Sequence, residues 1–185
     1  MKFRNELKYR LNTQDYHLLK TRLEALYEKD KNITSAGFYN VRSIYFDDYQ
    51  NSAYYEKLNG IESRQKFRIR IYNLSDQNIQ LERKIKSNRY ITKQTAKLTR
   101  EEVYKILEGN YKFLIESEEN LKKVFYHEFV SNLLRPRVVV AYEREPYVSD
   151  VSRLRITFDK NVRAGQLGWD IFDGAMPMIE ALDLS

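Results

Sequence analysis

Between Arg64 and Tyr72 the chain alternates strictly. Arg64, Lys66, Arg68, Arg70 and Tyr72 share one parity, and Gln65, Phe67, Ile69 and Ile71 share the other. A second stretch, Ile79–Lys86, sets Gln80, Glu82, Lys84 and Lys86 against Ile79, Leu81, Arg83 and Ile85. Arg4, Glu6, Lys8 and Arg10 near the start repeat the bias, as do Arg153 and Arg155 near the end. Strand side chains alternate with period two, so each set lies on one face of its strand. Arginine grips phosphate oxygens in pairs and lysine meets them as a mobile point charge, so the chemistry offered is the binding and positioning of a polyanion. Like charges placed side by side on antiparallel strands repel. Either the face is solvated, with salt screening and scattered glutamates, or it lines a groove or closed barrel filled by a phosphate-rich chain, with the apolar faces packed outward onto helices. Glu6 and Glu82, set among the cations, either hold a divalent metal that bridges phosphate oxygens or act as salt-bridge partners.

The charge distribution supports a local site. The 185 residues carry 32 Lys and Arg against 26 Asp and Glu, a net charge of +6. Residues 61–100 alone hold eleven bases and three acids, more than the whole excess. The absence of cysteine removes disulfides, thiolate nucleophiles and cysteine-ligated metals. His17 and His127, 110 positions apart, are too few for a histidine-rich metal site. No segment approaches the roughly 20 apolar residues of a membrane helix, and the N-terminus has no signal-peptide pattern, so the chain reads as cytoplasmic. Its length and its 42% hydrophobic residues are those of one folded domain, residues 1–185.

These faces need an α+β framework. Lys2–Leu11 reads as a strand. Asn12 or Thr13 caps a helix in which Tyr16, Leu19, Leu23, Leu26 and Tyr27 recur at helical spacing. Asn40–Asp47 is a second strand, and Asp48–Lys57 a polar stretch with a helical turn. Arg64–Leu74 and Asn78–Ser87 are strands joined across Ser75-Asp76-Gln77, and Tyr90–Lys97 continues the meander. Thr99 and Glu102 form a capping box for a helix ending at Gly109, a second helix runs from Glu118 to Leu134, and Pro136 stops it. Strands follow at Arg137–Tyr147 and Arg153–Val162, and beyond Gly165 the sequence is irregular.

Short pieces in this order carry a resemblance: Glu6-Leu7-Lys8-Tyr9, Val41-Arg42-Ser43-Ile44-Tyr45-Phe46-Asp47, Phe67-Arg68-Ile69-Arg70-Ile71-Tyr72, Leu81-Glu82-Arg83-Lys84, Lys93, Tyr142-Glu143-Arg144 and Arg153-Leu154-Arg155-Ile156-Thr157-Phe158-Asp159. Together the sequence resembles the vacuolar transporter chaperone (VTC) domain, the polyphosphate polymerase branch of the CYTH-like triphosphate tunnel metalloenzymes. The resemblance implies an antiparallel β-barrel forming a tunnel, with helices outside. It implies phosphate-binding roles for Lys8, Arg68, Arg70, Lys84, Lys93, Tyr142, Arg144 and Arg155, with Arg68, Arg70 and Lys84 catalytic. Lys97 is a near neighbour that competes with Lys93, and Tyr142 is equally a core aromatic. Glu6 and Glu82 would be the metal carboxylates, with Mn²⁺ or Mg²⁺ as cofactor. The family pattern continues with a strand bearing a metal-binding Glu two residues before a Lys, then a C-terminal helix. Glu180 is followed two residues later by Leu182, so that role is not carried onto it. The family's C-terminal Glu is expected to lie beyond Ser185, with the chain either a fragment that stops one strand and one helix short or a natural variant with an open barrel and impaired catalysis.

The implied reaction transfers the γ-phosphoryl group of ATP onto inorganic polyphosphate, whose acceptor is already an anion and needs no general base. An inorganic triphosphatase and a non-catalytic polyphosphate-binding module are the alternatives on the same scaffold. Nucleic-acid binding is disfavoured, because the cations lie on one face and the aromatics mostly on the other. The sequence identifies no membrane-protein partner.

Overall fold

The computed structural model describes residues 6–30, 33–88, 90–149, 154–165 and 167–181, so Lys2, Arg4 and Arg153 lie outside the described residues. So does Ser185, and the expectation that the family's last metal-binding Glu falls beyond it lies outside them too. In chain order the elements are α1 (Thr13–Leu26), β1 (Glu28–Lys29), β2 (Tyr39–Asp47), α2 (Ser52–Leu58), β3 (Arg64–Tyr72), β4 (Ser75–Ser87), β5 (Tyr90–Leu98), α3 (Arg100–Leu107), α4 (Phe113–Glu116), α5 (Asn120–Ser131), β6 (Arg135–Val148), β7 (Arg155–Gly165) and β8 (Ile179–Glu180). The strands form one antiparallel sheet in the order β5-β4-β3-β2-β6-β7-β8, with β1 pairing the far end of β6. No ladder joins β5 to β8 among the described residues, so the α+β architecture is the expected one while the sheet remains open. Glu180 lies on the short edge strand β8, 17 residues from its ladder partner Arg163 in sequence and exposed, and no metal role is assigned to it.

One face of the sheet is apolar. Ile44, Phe46, Phe67, Ile69, Ile71, Ile79, Leu81 and Val139 pack against Val103, Ile106, Leu114, Leu121, Phe125 and Phe129 of the helices. At the other end of the same face, Tyr147 and Phe158 receive Tyr16, Leu19 and Leu23 of α1. Each fully buried aliphatic or aromatic side chain contributes roughly 1.5–3 kcal/mol, while a like-charged cross-strand pair costs under about 1 kcal/mol, so this core carries an unfavourable charge pattern on the opposite face. Local signals set the helix starts as expected. The Asn12 side chain accepts from the Asp15 N–H at 2.8 Å, and Thr99 and Glu102 form the full capping box.

Two expectations change. Glu6–Leu11 is not a strand: Leu7 and Tyr9 are 78% and 77% exposed, and residues 6–12 pair with no described strand. Alternation alone forms no strand without a ladder neighbour and a face to bury. The β3–β4 turn is Asn73-Leu74, not Ser75-Asp76-Gln77, because Tyr72 pairs directly with Ser75. Both turn residues have positive φ, 51° and 57°, the geometry of a two-residue hairpin whose twist matches the strands. Leucine has no preference for this region, and its Cβ is strained there. Leu74→Gly is therefore expected to raise stability by about 1 kcal/mol in urea unfolding, net of the entropy a glycine adds to the unfolded chain. An unchanged or lower midpoint would show that the contact of the Leu74 side chain with the loop at Gly174 outweighs the strain.

Candidate functional site

The second face of the sheet carries the predicted residues in rows that the register defines. Lys66, Lys84 and Lys93 are cross-strand partners on β3, β4 and β5. The next row is Tyr45, Arg68, Glu82 and Thr95, and the one after it Ser43, Arg70, Gln80 and Lys97. Farther along, Val41 pairs with Tyr142, and Tyr39 with Arg144, which faces Asp159 of β7.

Glu82 sits at the centre. It is 1% exposed, and Nε and Nη2 of Arg68 both reach its Oε2 at 2.5 Å. Lys93 binds its other oxygen, and Arg70 lies 4.0 Å away. Burial pushes the Glu82 carboxyl up, but Arg68, Arg70 and Lys93 outweigh it and hold the group below its ordinary value. Two residues not singled out as site candidates complete the cluster. The Tyr45 hydroxyl accepts from Arg68 at 3.0 Å, and Ser43 Oγ from Arg70 at 3.2 Å. Burial raises the Tyr45 phenol, yet Arg68 and Arg70 bring it below its usual value. Both residues share a parity on β2, so the signal was present; only the pairing of β2 with β3 gives it meaning.

The remaining predicted residues extend from this centre in two directions. Lys84 binds Glu6 at 2.6 Å, and Lys8 lies 3.4 Å from the same carboxylate, so Glu6 and Lys8 reach the face by side-chain contact although they form no strand. On the other side Tyr142 accepts from Arg70 at 3.0 Å, and burial raises its phenol pKa more than Arg70 and Arg144 lower it. Arg144 lies over the Tyr142 ring and grips Asp159 with two bonds of 2.6 Å. Arg155 donates to the Tyr39 hydroxyl at 3.1 Å and pairs with Asp30 at 3.0 Å. Tyr39, Asp30 and Asp159 were not predicted as part of the site, and nothing local marks them. Lys93, not Lys97, reaches Glu82, although the register sets both lysines diagonal to it, two residues either side of its partner Thr95.

No three Asp, Glu or His side chains converge among the described residues. Magnesium is commonly held by one or two carboxylates together with substrate phosphates. Glu6 and Glu82 match that smaller requirement in kind, although Glu82 gives both oxygens to Arg68 and Lys93. The donor set fits a divalent ion that arrives on phosphate, not a cation caged by protein alone.

An antiparallel sheet with helices on one face and a basic, tyrosine-lined track on the other defines an open-sheet α+β protein with a cationic face. The VTC domain model matches residues 3–182, and the chain belongs to that family. The family supports a polyphosphate-related role. The fold is similar to that of the crystal structure of "a putative adenylate cyclase" from Bacillus halodurans, with a TM-score of 0.53 and 15% identity over 86% of this chain and 71% of that one. No curated protein matches the chain.

Because the folded-state value of Glu82 lies below 4.5, its pairing contributes fully above that pH and is lost as pH falls from there through the folded-state value. Glu82→Gln leaves Arg68 and Arg70 without their anion at a buried position, and a destabilisation of about 3–5 kcal/mol is expected. The variant's unfolding midpoint should also vary less with pH below 4.5 than that of the wild type. Equal pH profiles would show that Glu82 does not hold the cluster.

Proposed function

We propose that the protein is a polyphosphate polymerase, transferring the γ-phosphoryl group of ATP onto a growing inorganic polyphosphate chain laid along the Lys- and Arg-lined face. The observation that carries the reading is the anion-matched cluster of Arg68, Arg70 and Lys93 around one buried carboxylate, in a chain of the VTC family. Arg68, Arg70 and Lys84 are the residues proposed to meet the transferred group. Lys8, Lys93, Tyr142, Arg144 and Arg155 are proposed to hold the phosphates on either side of it.

The chemistry asks little of the protein beyond position and charge. An oxygen of the terminal phosphate of the acceptor attacks the γ-phosphorus, a new phosphoanhydride bond forms, the β–γ bond breaks, and ADP leaves with the electron pair. The acceptor is an anion, so no proton has to be removed. Phosphate oxygens take the place of Glu82 on Arg68 and Lys93, exchanging one anion for another, and Arg70 stays aligned by Ser43 and Tyr142. A Mn²⁺ or Mg²⁺ ion, with Glu6 and Glu82 as its protein carboxylates, would neutralise further charge on the phosphates.

The test is incubation with ATP and either metal, with and without a short polyphosphate primer, followed by resolution of chain lengths on a gel. Chain growth is the expected result. Release of free phosphate without growth means an inorganic triphosphatase, with water as acceptor, and tight primer binding without turnover means a binding module. Arg68→Ala and Arg70→Ala each remove a charge-assisted contact worth about 1.5–3 kcal/mol, so each is expected to weaken tripolyphosphate binding by at least about tenfold. Unchanged binding in both would place the anion elsewhere.

A further inference from the structure

The cations of the site face are not equally provided with acids. Arg68, Arg70, Lys84, Lys93, Arg144 and Arg155 each have a carboxylate within 4.0 Å. Three successive cross-strand pairs at the β4–β5 end are like-charged: Arg64 with Lys86, Lys66 with Lys84, and Lys84 with Lys93. In this group Glu6 serves Lys84 and Glu82 serves Lys93. Among the described residues that leaves Lys66 and Lys86 without an acidic partner, and Arg64 bonded to the Ile61 carbonyl. Both lysines are partly buried, unlike the exposed Lys97.

The groups that act on Lys66 come from every element around it. Lys57 on α2 and Arg64 on β3 repel its charge. Tyr45 and Asp47 on β2 favour it, but burial and the two cations prevail and lower its pKa. Asp47 is no counter-ion to spare, because its oxygens already accept from the backbone N–H groups of Asp48, Ala53 and Tyr54, which fixes α2 over the end of the strand. A half-buried cluster of one sign with no anion is unfavourable, and the sheet gains nothing by it unless an anion comes to it.

We propose that Lys66 and Lys86, with Arg64 and Lys57 beside them, form a second phosphate-binding station that holds the distal part of an inorganic polyphosphate chain whose reacting end lies at Arg68 and Arg70. The proposal rests on the phosphate-chain reading of the site. The outer row of this group, Arg64 with Lys86, lies six residues from Arg70 along β3, about 20 Å, which is more than a triphosphate spans, and Lys66 bridges that row to Lys84. The station therefore distinguishes long chains from short ones, and it fixes the direction in which the chain runs, from Arg70 toward the β4–β5 turn. The nucleotide would then enter from the Tyr142 and Arg144 side.

The experiment measures binding of tripolyphosphate, of a long-chain polyphosphate and of a single-stranded oligonucleotide of matched charge, at two salt concentrations. The proteins are the wild type, Lys66→Gln with Lys86→Gln, and Lys86→Gln alone, whose partly exposed side chain makes it the variant safe for folding. The double variant should bind long chains about tenfold or more weaker, with a shallower salt dependence, and bind tripolyphosphate within about twofold of wild type. The single variant should shift in the same direction by less. Equal losses for the two phosphate ligands, or no loss for the long chain, would overturn the station while leaving the phosphate-chain reading intact. An equal loss for the oligonucleotide would overturn it in favour of a general polyanion surface. Wild-type protein that binds neither phosphate ligand would overturn the underlying reading itself.

Discussion

The centre of the polar face depends on one buried carboxylate, Glu82. Without Glu82, β3 would present Arg68 and Arg70 and β5 would present Lys93 with no anion between them, in surroundings where charges are poorly screened. With it, the guanidinium of Arg68 is fixed from two sides, by Glu82 and by the Tyr45 hydroxyl, and Arg70 is fixed by Ser43 and Tyr142. The arrangement pre-forms positive charge at a set place, and that is the form of electrostatic preorganisation a phosphoryl group needs. It also sets a threshold for ligands. On the proposed reading, an incoming anion would have to offer at least what Glu82 offers, and a phosphate chain has several charged oxygens with which to do so.

The other face shows how the same residue type is treated when no ligand is intended. Arg42 on β2 points to the apolar side, is 8% exposed, and donates to the backbone carbonyls of Ile171 and Asp173. That contact ties the irregular segment after β7 onto the sheet, next to Ile171 and Phe172 of the core. A cation satisfied by neutral carbonyls is held in place and is not offered for exchange. Glu145 on the same side is likewise closed in, among Tyr16, Lys20 and Lys160, where it anchors α1. Exchangeable pairing is thus confined to the face that the sequence loads with cations.

Period-two parity was enough to make Arg68, Arg70, Glu82 and Lys84 legible, because β3 and β4 pair without a slip from Arg64 to Arg70 and their opposite parity is mostly apolar. Parity failed where the ladder slips. The register shift between Ala141 and Glu143 changes which residues of β7 share a face with β6, so Val162 packs near Tyr142 while Asp159 meets Arg144. No count along β7 shows that. The choice between Lys93 and Lys97 is equally invisible to parity, because both flank Thr95, the partner of Glu82, and only Lys93 binds the carboxylate. The first segment misled for the opposite reason. Its alternation is real, but Leu7 and Tyr9 find nothing to cover them, and Glu6 and Lys8 act through their side chains alone.

The scarcity of histidine and the open lysine rows belong to one physical account. His17 contacts Tyr16 on α1 and His127 contacts Tyr126 on α5, so both sit on the helical side of the sheet and neither lies near Arg68 or Arg70. A face whose carboxylates are all engaged by cations and which has no histidine nearby suits a reaction between two phosphates, in which charge moves and protons do not. Such a face must tolerate repulsion among its own cations while it is empty, and the apolar core on the other side supplies the stability that allows this. On the proposed reading the repulsion would be relieved as a phosphate chain enters. It would be relieved most where no protein acid has already done so, and this ties the uneven distribution of acids along the strands to the direction in which a phosphate chain would lie on them.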